Sequence, residues 1–190
     1  MEEVNQNEQK KIISSYKWIR DLPFEAGVIG GGYSEELEYI KTYKRGSCSA
    51  KHYLLGYVCE ELEIPVTYLT YPFYWNELNI DYPNFIGKLV GKMPLQYHLA
   101  IKINTDEGEF FLDATWNLPL EKVGFPVNKI GDRIANTKNA IIPAGEPIVH
   151  SNALERSRWI KELIAGMEST GVEREFYNAL NQWLKEIRKM

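Results

Sequence analysis

The sequence has little cysteine and little histidine. Its 190 residues include two cysteines, Cys48 and Cys59, and three histidines, His52, His98 and His150. The cysteines lie eleven positions apart in one predicted helix, where a rise of about 1.5 Å per residue holds them too far apart for a disulfide. We therefore expect free thiols and a cytoplasmic, reducing location.

Long hydrophobic runs and an excess of positive charge are also missing. No apolar run approaches the roughly 18 residues that a membrane-spanning helix needs. The first ten residues, MEEVNQNEQK, are polar and acidic, unlike the basic head and apolar stretch of a signal peptide. The formal net charge is −4 with the charges well mixed, which weakens a nucleic-acid interpretation. We expect neither a membrane segment nor a nucleic-acid partner.

What the chain does contain is an ordinary globular composition. It is 44% hydrophobic, 25% charged and 13% aromatic, as expected for a chain that buries a core without disulfides. Its length predicts a single domain over residues 1–190.

Periodicity and turn residues predict helices first, a sheet second and helices last, which is an α+β layout. The segment TDEG joins two strand-like runs and indicates a hairpin. The region 118–150 is rich in proline and glycine and is predicted to be mostly loop. The expected helices cover 10–21, 34–43 with Ser34 as cap, 48–64, and 152–190 with a break near Gly171; the expected strands cover 65–73, 97–104 and 109–116.

The stretch RGSCSAKHYLLGYVCEELEIP, residues 45–65, places Cys48 where a helix begins. Unpaired backbone N–H groups and the positive end of the helix dipole stabilise a thiolate there. Ser47 or Gly46 can cap the helix, and Gly46 would let a substrate backbone come close. The alternative is that Cys48 is a small buried apolar residue, which is the expected role of Cys59.

A nucleophilic cysteine needs a base, and His98 is the best placed histidine. It opens one strand of the predicted hairpin, and Asp113 follows fifteen residues later in the other. Cross-strand neighbours have Cβ atoms about 4.5–5.5 Å apart, so the carboxylate is expected to orient the imidazole. The alternative roles are a polar residue at a sheet end for His98 and a turn or cap residue for Asp113.

His52 competes with His98, because it lies four residues after Cys48 on the same helix face. A Cys/His pair can ligate a metal, but no third or fourth ligand lies nearby in sequence, and no paired-cysteine or His-Glu-x-x-His pattern occurs. We therefore expect no metal and no cofactor. His150 is expected to be structural or exposed.

Three pieces of sequence, GSCSAKHYLLGYVCEELEIPV, YHLAIKI and FFLDATWN, occur in an order that resembles the transglutaminase-like superfamily. This group of papain-like cysteine enzymes includes transglutaminases, peptide N-glycanases and many microbial proteases. In it a Gly-x-Cys motif opens a helix, a histidine starts a strand and an aspartate motif follows on the next strand. Gly46, Cys48, His98 and Asp113 stand in those places. Leu99 and Ala114 depart from the common pattern.

The resemblance covers about 34–117 and implies a nucleophile helix packed on an antiparallel sheet, with extra N-terminal helices and a helical extension at about 152–190. It implies acyl transfer on a peptide or protein substrate through a thioester, with Cys48 as nucleophile, His98 as base and Asp113 as its orienting group. Trp75 and Trp116 are candidate walls of a substrate channel, and core burial is the alternative for each. The oxyanion would meet the Cys48 N–H and a side chain, for which the candidates are Tyr33, Tyr39 and Tyr43.

Other functions stay open at this stage. The segment RGSC and the Cys-His-Asp order also resemble arylamine N-acetyltransferases. A non-catalytic binding module on the same fold and a metal-dependent hydrolase are two further alternatives. The sequence leaves open whether water or an amine accepts the acyl group, and it does not indicate the oligomeric state.

Overall fold

A computed structural model describes residues 2–27, 30, 32–166 and 171–190, with side chains from residue 7 onward. Two short 3₁₀ helices, Trp75–Glu77 and Leu118–Val123, lie in the connections. The α-helices are α1 (Glu2–Asp21), α2 (Tyr33–Tyr43), α3 (Cys48–Glu60), α4 (Asn84–Val90), α5 (Ala153–Ala165) and α6 (Val172–Ile187); the strands are β1 (Val66–Phe73), β2 (Gln96–Thr105), β3 (Gly108–Leu112) and β4 (Ile148–His150).

The strands form one antiparallel sheet in the order β3-β2-β1-β4. The predicted hairpin is confirmed: Thr105 pairs with Gly108, so Asp106 and Glu107 make a two-residue turn. Gly108 has a φ of 126°, a conformation that favours glycine. The α+β class expected from the sequence is therefore confirmed.

Two helix starts differ from the expectation. Helix α1 begins at Glu2, eight residues before the expected start at residue 10. Ser34 does not cap α2, because the helix already begins at Tyr33 and Gly32 occupies the cap position. Helix α3 follows the expectation, since the Ser47 side chain accepts a hydrogen bond from the Ala50 N–H at 3.1 Å.

Strand β3 ends at Leu112, four residues before the expected end of the strand at 116. The outer edge of β3 is covered by the segment 136–137 instead of another strand: Phe111 N–H donates to Asn136 Oδ1, and Thr137 N–H donates to the Phe111 carbonyl. Asp113 N–H then donates to Thr137 Oγ1 at 2.8 Å. Asp113 therefore lies in the irregular segment just after the strand rather than within it.

Most buried apolar side chains of the described residues fall into two clusters, and the first turn of α3 contributes to both, through Ala50 and Cys48. The first joins α1 and α3 to the sheet and includes Tyr16, Leu55 and Ile101. The second lies under α6 and includes Trp75, Trp116, Phe125, Phe176 and Leu184, with the Cys48 side chain packed against it.

Within the described ranges, no helix combines the length and the apolar character that crossing a bilayer requires.

Candidate active site

Cys48 is the first residue of α3 and is half-buried. Burial raises the pKa of its thiol, but several partners together hold the pKa below its ordinary value. They are a hydrogen bond from His98, the positive charge of His98, the Leu99 backbone N–H and the Arg156 guanidinium. The helix start therefore combines with two cations to favour thiolate.

His98 lies in β2 and is buried beside Cys48. Its Nε2–H donates to Asp113 Oδ2 at 2.7 Å, which leaves Nδ1 for the hydrogen bond with the cysteine. Burial lowers the pKa of His98, but the charge and hydrogen bond of Asp113, with those of Cys48, raise it to about 10. The two shifts favour a thiolate and imidazolium ion pair at neutral pH.

The carboxylate of Asp113 is completely buried and accepts four hydrogen bonds. Oδ2 accepts from His98 and from the Ala140 N–H at 2.8 Å, while Oδ1 accepts from the Thr115 N–H at 3.1 Å and the Thr115 hydroxyl at 2.7 Å. Burial raises the pKa of Asp113, but His98, His52 and Thr115 hold it well below its usual range. A carboxylate so fully bonded fixes the ring of His98 in one orientation.

His52 is a second buried histidine at the site, with a different bonding pattern. Its Nε2 accepts a hydrogen bond from the Ala114 N–H at 2.9 Å, so the proton is on Nδ1, which donates to the Cys48 carbonyl at 2.8 Å. Burial lowers its pKa to about 4. His52 is therefore neutral and braces the first turn of α3 against the segment after β3.

No group of three or more potential ligands that could hold a metal ion occurs among the described residues.

The two remaining sequence candidates lie away from the reactive pair. Cys59 belongs to the first cluster, and burial raises its pKa to about 12. His150 is buried at the end of β4, with its ring against Trp159.

Lys51 is a buried residue of the site that the sequence analysis missed. Its Nζ donates to the Arg20 carbonyl at 2.8 Å and to the Thr115 carbonyl at 2.7 Å, and its side chain is fully buried. Burial holds the pKa of Lys51 well below its ordinary value. The two carbonyls accept hydrogen bonds from two of its N–H groups. Lys51 thus ties α3 to the residue that bonds Asp113.

A cavity of ≈ 390 Å³ opens over Cys48 and His98. Trp75 and Trp116, the two candidate channel walls, both line it, and both are also buried in the second cluster. Helices α5 and α6 contribute further wall residues that the sequence analysis did not assign to the site; these are Arg156, Ile160, Leu163, Ile164, Glu173 and Tyr177.

The expected role of Gly46 needs correction. Gly46 does not line the cavity; it is buried, and a Cβ there would approach the Ala50 Cβ to 2.7 Å. Its backbone ties the residues before α3 to the segment after α1. The Gly46 N–H donates to the Pro23 carbonyl, and the Gly46 carbonyl accepts from the Glu25 N–H. The absence of a side chain thus serves packing at the start of α3 rather than substrate approach.

The three candidate tyrosines also lie outside the cavity wall. Tyr33 packs against Tyr53, the Tyr39 hydroxyl donates to Glu25, and Tyr43 is largely exposed. A different donor faces this region: Trp75 Nε1 is buried, and no acceptor within normal hydrogen-bonding geometry is found for it in the described part of the chain. The Tyr177 hydroxyl donates to Gln96 Oε1 at 2.5 Å, and its oxygen, which can also accept, lies near Trp75 Nε1.

The fold and site thus define an α+β protein in which a cysteine at a helix start meets a histidine and an aspartate. A scan with protein-family models and a search of curated proteins each found no match. One solved structure, from Cytophaga hutchinsonii and described as a "putative cysteine protease", is similar at a TM-score of 0.39 and 19% sequence identity. The match covers 75% of this chain and 40% of that chain. We therefore infer function from the geometry of the site.

Proposed function

We propose that the protein is a cysteine-dependent acyl-transfer enzyme that uses Cys48, His98 and Asp113. The observation that carries the proposal is a continuous chain of contacts: the helix-start thiol bonds His98, and His98 Nε2 lies 2.7 Å from Asp113 Oδ2. The cavity at Cys48 gives a carbonyl substrate room to reach the sulfur. The same order of residues in the resemblance to the transglutaminase-like superfamily supports a papain-like core over about 34–117.

In the proposed reaction the Cys48 thiolate attacks the carbonyl carbon of an amide, ester or thioester. The tetrahedral intermediate collapses as the C–N, C–O or C–S bond breaks, and the His98 imidazolium gives its proton to the leaving group. The acyl group stays on Cys48 as a thioester. Neutral His98 then takes a proton from the incoming water or amine, which attacks the thioester and releases the thiolate. Asp113 holds the ring throughout and keeps its own charge.

The negative oxygen of the tetrahedral intermediate needs hydrogen-bond donors. The backbone N–H of Cys48 is one candidate, because the first N–H groups of a helix have no partner inside it. Trp75 Nε1–H is the second, since it is buried in the cavity wall beside the Tyr177 hydroxyl and has no partner of normal hydrogen-bonding geometry among the described residues. Removing one such donor typically costs about 10² to 10³ in rate.

The test is acylation by p-nitrophenyl acetate, followed by mass spectrometry to locate the acetyl group. We expect a burst of one nitrophenolate per chain and an acetyl group on Cys48. Cys48→Ala should abolish the burst, and Cys59→Ala, which removes the other thiol, should retain it. His98→Ala should slow acylation by about 10² or more.

Acetylation that is spread over lysines, or that persists in Cys48→Ala, would contradict the proposal. An unreactive Cys48 in a folded protein would favour a binding module on this fold.

A further inference from the structure

The cavity over Cys48 has polar wall groups that already bond one another. The Tyr177 hydroxyl donates to Gln96 Oε1 at 2.5 Å, and Gln96 Nε2 donates to Glu173 Oε1 at 3.0 Å. Elsewhere in the wall, Ser47 Oγ donates to Glu36 Oε2 at 3.1 Å. These side chains would therefore bind a polar group of a substrate only weakly, because that group would have to displace an existing hydrogen bond.

The buried cation of this wall is likewise engaged. Arg156 lies almost wholly inside the protein and donates through Nη1 to the Tyr53 hydroxyl at 3.0 Å. Glu36 is equally buried and lies on the same side of the cavity, and both charges act on the Tyr53 hydroxyl with opposite sign. Arg156 and Glu36 thus act on the same hydroxyl with opposite sign, and Arg156 already donates a hydrogen bond inside the protein.

The remaining surface is apolar. Ile160 of α5 is informative because its side chain is 5% exposed, yet it belongs to neither hydrophobic cluster and faces the cavity. The other apolar wall residues come from several separate parts of the chain; they include Phe24, Phe73, Trp75, Trp116, Ile141 and Leu163.

We propose that this cavity is an acyl-binding pocket that selects donors with a neutral, apolar acyl group. The inference rests on the proposed function, because the acyl group is the one that Cys48 would receive. A volume of ≈ 390 Å³ is near the lower end of ligand pockets, which run from about 300 to 1,000 Å³. A charged acyl group would lose its hydration among apolar walls, and the polar wall groups that it could meet already bond one another.

The experiment compares p-nitrophenyl butanoates whose terminal carbon carries a tert-butyl group, a trimethylammonio group or a sulfonate. These termini have nearly the same shape, so charge is the variable. Each acylation rate is divided by the rate of the same ester with N-acetylcysteine, which removes differences in intrinsic reactivity. We expect the tert-butyl ester to acylate Cys48 at least about 10-fold faster than either charged ester.

Variants of Ile160 test the position of the pocket. Ile160→Lys should raise the rate of the sulfonate ester relative to the tert-butyl ester by about 10-fold or more, a change of about 1.4 kcal/mol. Leu154→Lys is the matched control: it places the same charge on the same helix at a residue that is 62% exposed, and it should leave the ratio unchanged. Should Ile160→Lys fail to fold, Ile160→Ala enlarges the pocket and should favour a bulkier apolar ester.

Equal normalised rates for the three esters would overturn the proposal that the pocket selects apolar acyl groups. A preference for the trimethylammonio ester that Glu173→Gln abolishes would also overturn it and would assign selection to Glu173. Iodoacetamide separates this failure from failure of the proposed function, because it reports the thiolate without filling the pocket. Fast labelling of Cys48 with no acyl preference rejects the pocket alone, whereas slow labelling rejects the reactive cysteine itself.

Discussion

At the scale of single residues, the site is organised by a series of buried hydrogen bonds that begins and ends on helix α3. Lys51 lies one turn after Cys48 and donates to the Thr115 carbonyl, and Thr115 donates twice to Asp113. Asp113 bonds His98, which bonds Cys48. The nucleophile helix therefore supports the aspartate that orients its own base. We infer that Lys51 is a positioning residue.

Lys51→Met keeps the length of the side chain and removes both hydrogen bonds. We expect the free energy of unfolding to fall by about 1–3 kcal/mol, because two buried carbonyls lose their donor. We also expect the pKa of Cys48, read from the pH dependence of alkylation, to rise as Asp113 and His98 lose their fixed geometry.

Denaturant unfolding and iodoacetamide kinetics measure the two effects. Lys129→Met is the control, because Lys129 pairs with Glu121 on the surface and surface pairs contribute about 0–1 kcal/mol. If stability falls while the alkylation profile stays that of the native protein, Lys51 only supports the fold.

Some of these residues could be predicted from sequence because their contacts are local. Ser47 and Cys48 follow from a helix start, and His98 and Asp113 from a hairpin with a short turn. Ala140 and Arg156 could not be predicted, because each reaches the site from a segment whose position depends on the whole fold. Lys51 lies in the predicted helix, but its acceptors, the Arg20 and Thr115 carbonyls, come from distant segments. For Gly46 the expected approach of a substrate backbone was wrong. A glycine before a helix indicates that another group comes close, but the sequence does not show that this group is the Ala50 side chain.

At the scale of elements, helix α3 approaches the sheet closely at one glycine. A Cβ at Gly56 would lie 2.1 Å from the Tyr68 hydroxyl oxygen and 2.8 Å from its Cζ. Tyr68 is buried in β1, and its hydroxyl donates to Glu60 at 3.1 Å. The glycine therefore lets α3, which carries Cys48, lie close to the strand next to His98.

Gly56→Ala should destabilise the protein by about 1–3 kcal/mol, because the ring of Tyr68 has no free space into which to move. Gly87→Ala is the matched change in another helix, where a Cβ meets nothing within 4 Å. Alanine there should stabilise by about 0.5–1 kcal/mol, through the helix propensity that glycine lacks.

Thermal or denaturant unfolding of the two variants measures the difference. Equal effects of the two substitutions would mean that α3 does not depend on its contact with Tyr68.

The elements were predicted well where the hydrophobic periodicity and the turn residues agree, as in the hairpin and the two C-terminal helices. The end of β3 was not, because FFLDATW continues to look like a strand. There the backbone leaves the sheet when Asp113 N–H donates to Thr137 rather than to a neighbouring strand. Such a partner, 24 residues away, leaves no local signal.

At the scale of the whole molecule, the cavity is built by the core and the C-terminal helices together. The resemblance covers about 34–117, but α5 and α6 supply Ile160, Glu173 and Tyr177 to the cavity wall. Tyr177 also packs on Gly27, where φ is +65° and a Cβ would lie 2.3 Å from the ring. We therefore expect substrate selection to depend on the region that the motifs leave unexplained.

The most direct measurement of the central claim is the rate of Cys48 alkylation by iodoacetamide between pH 5 and 9, in the native protein and in His98→Ala. An ordinary thiol titrates at about 8.5, whereas His98 lowers the pKa of Cys48 and itself stays protonated up to about 10. The account predicts rapid labelling well below pH 8.5, with the midpoint moved upward in His98→Ala, because burial then raises the pKa unopposed by His98. Labelling that follows an ordinary thiol and is unchanged in His98→Ala would contradict it.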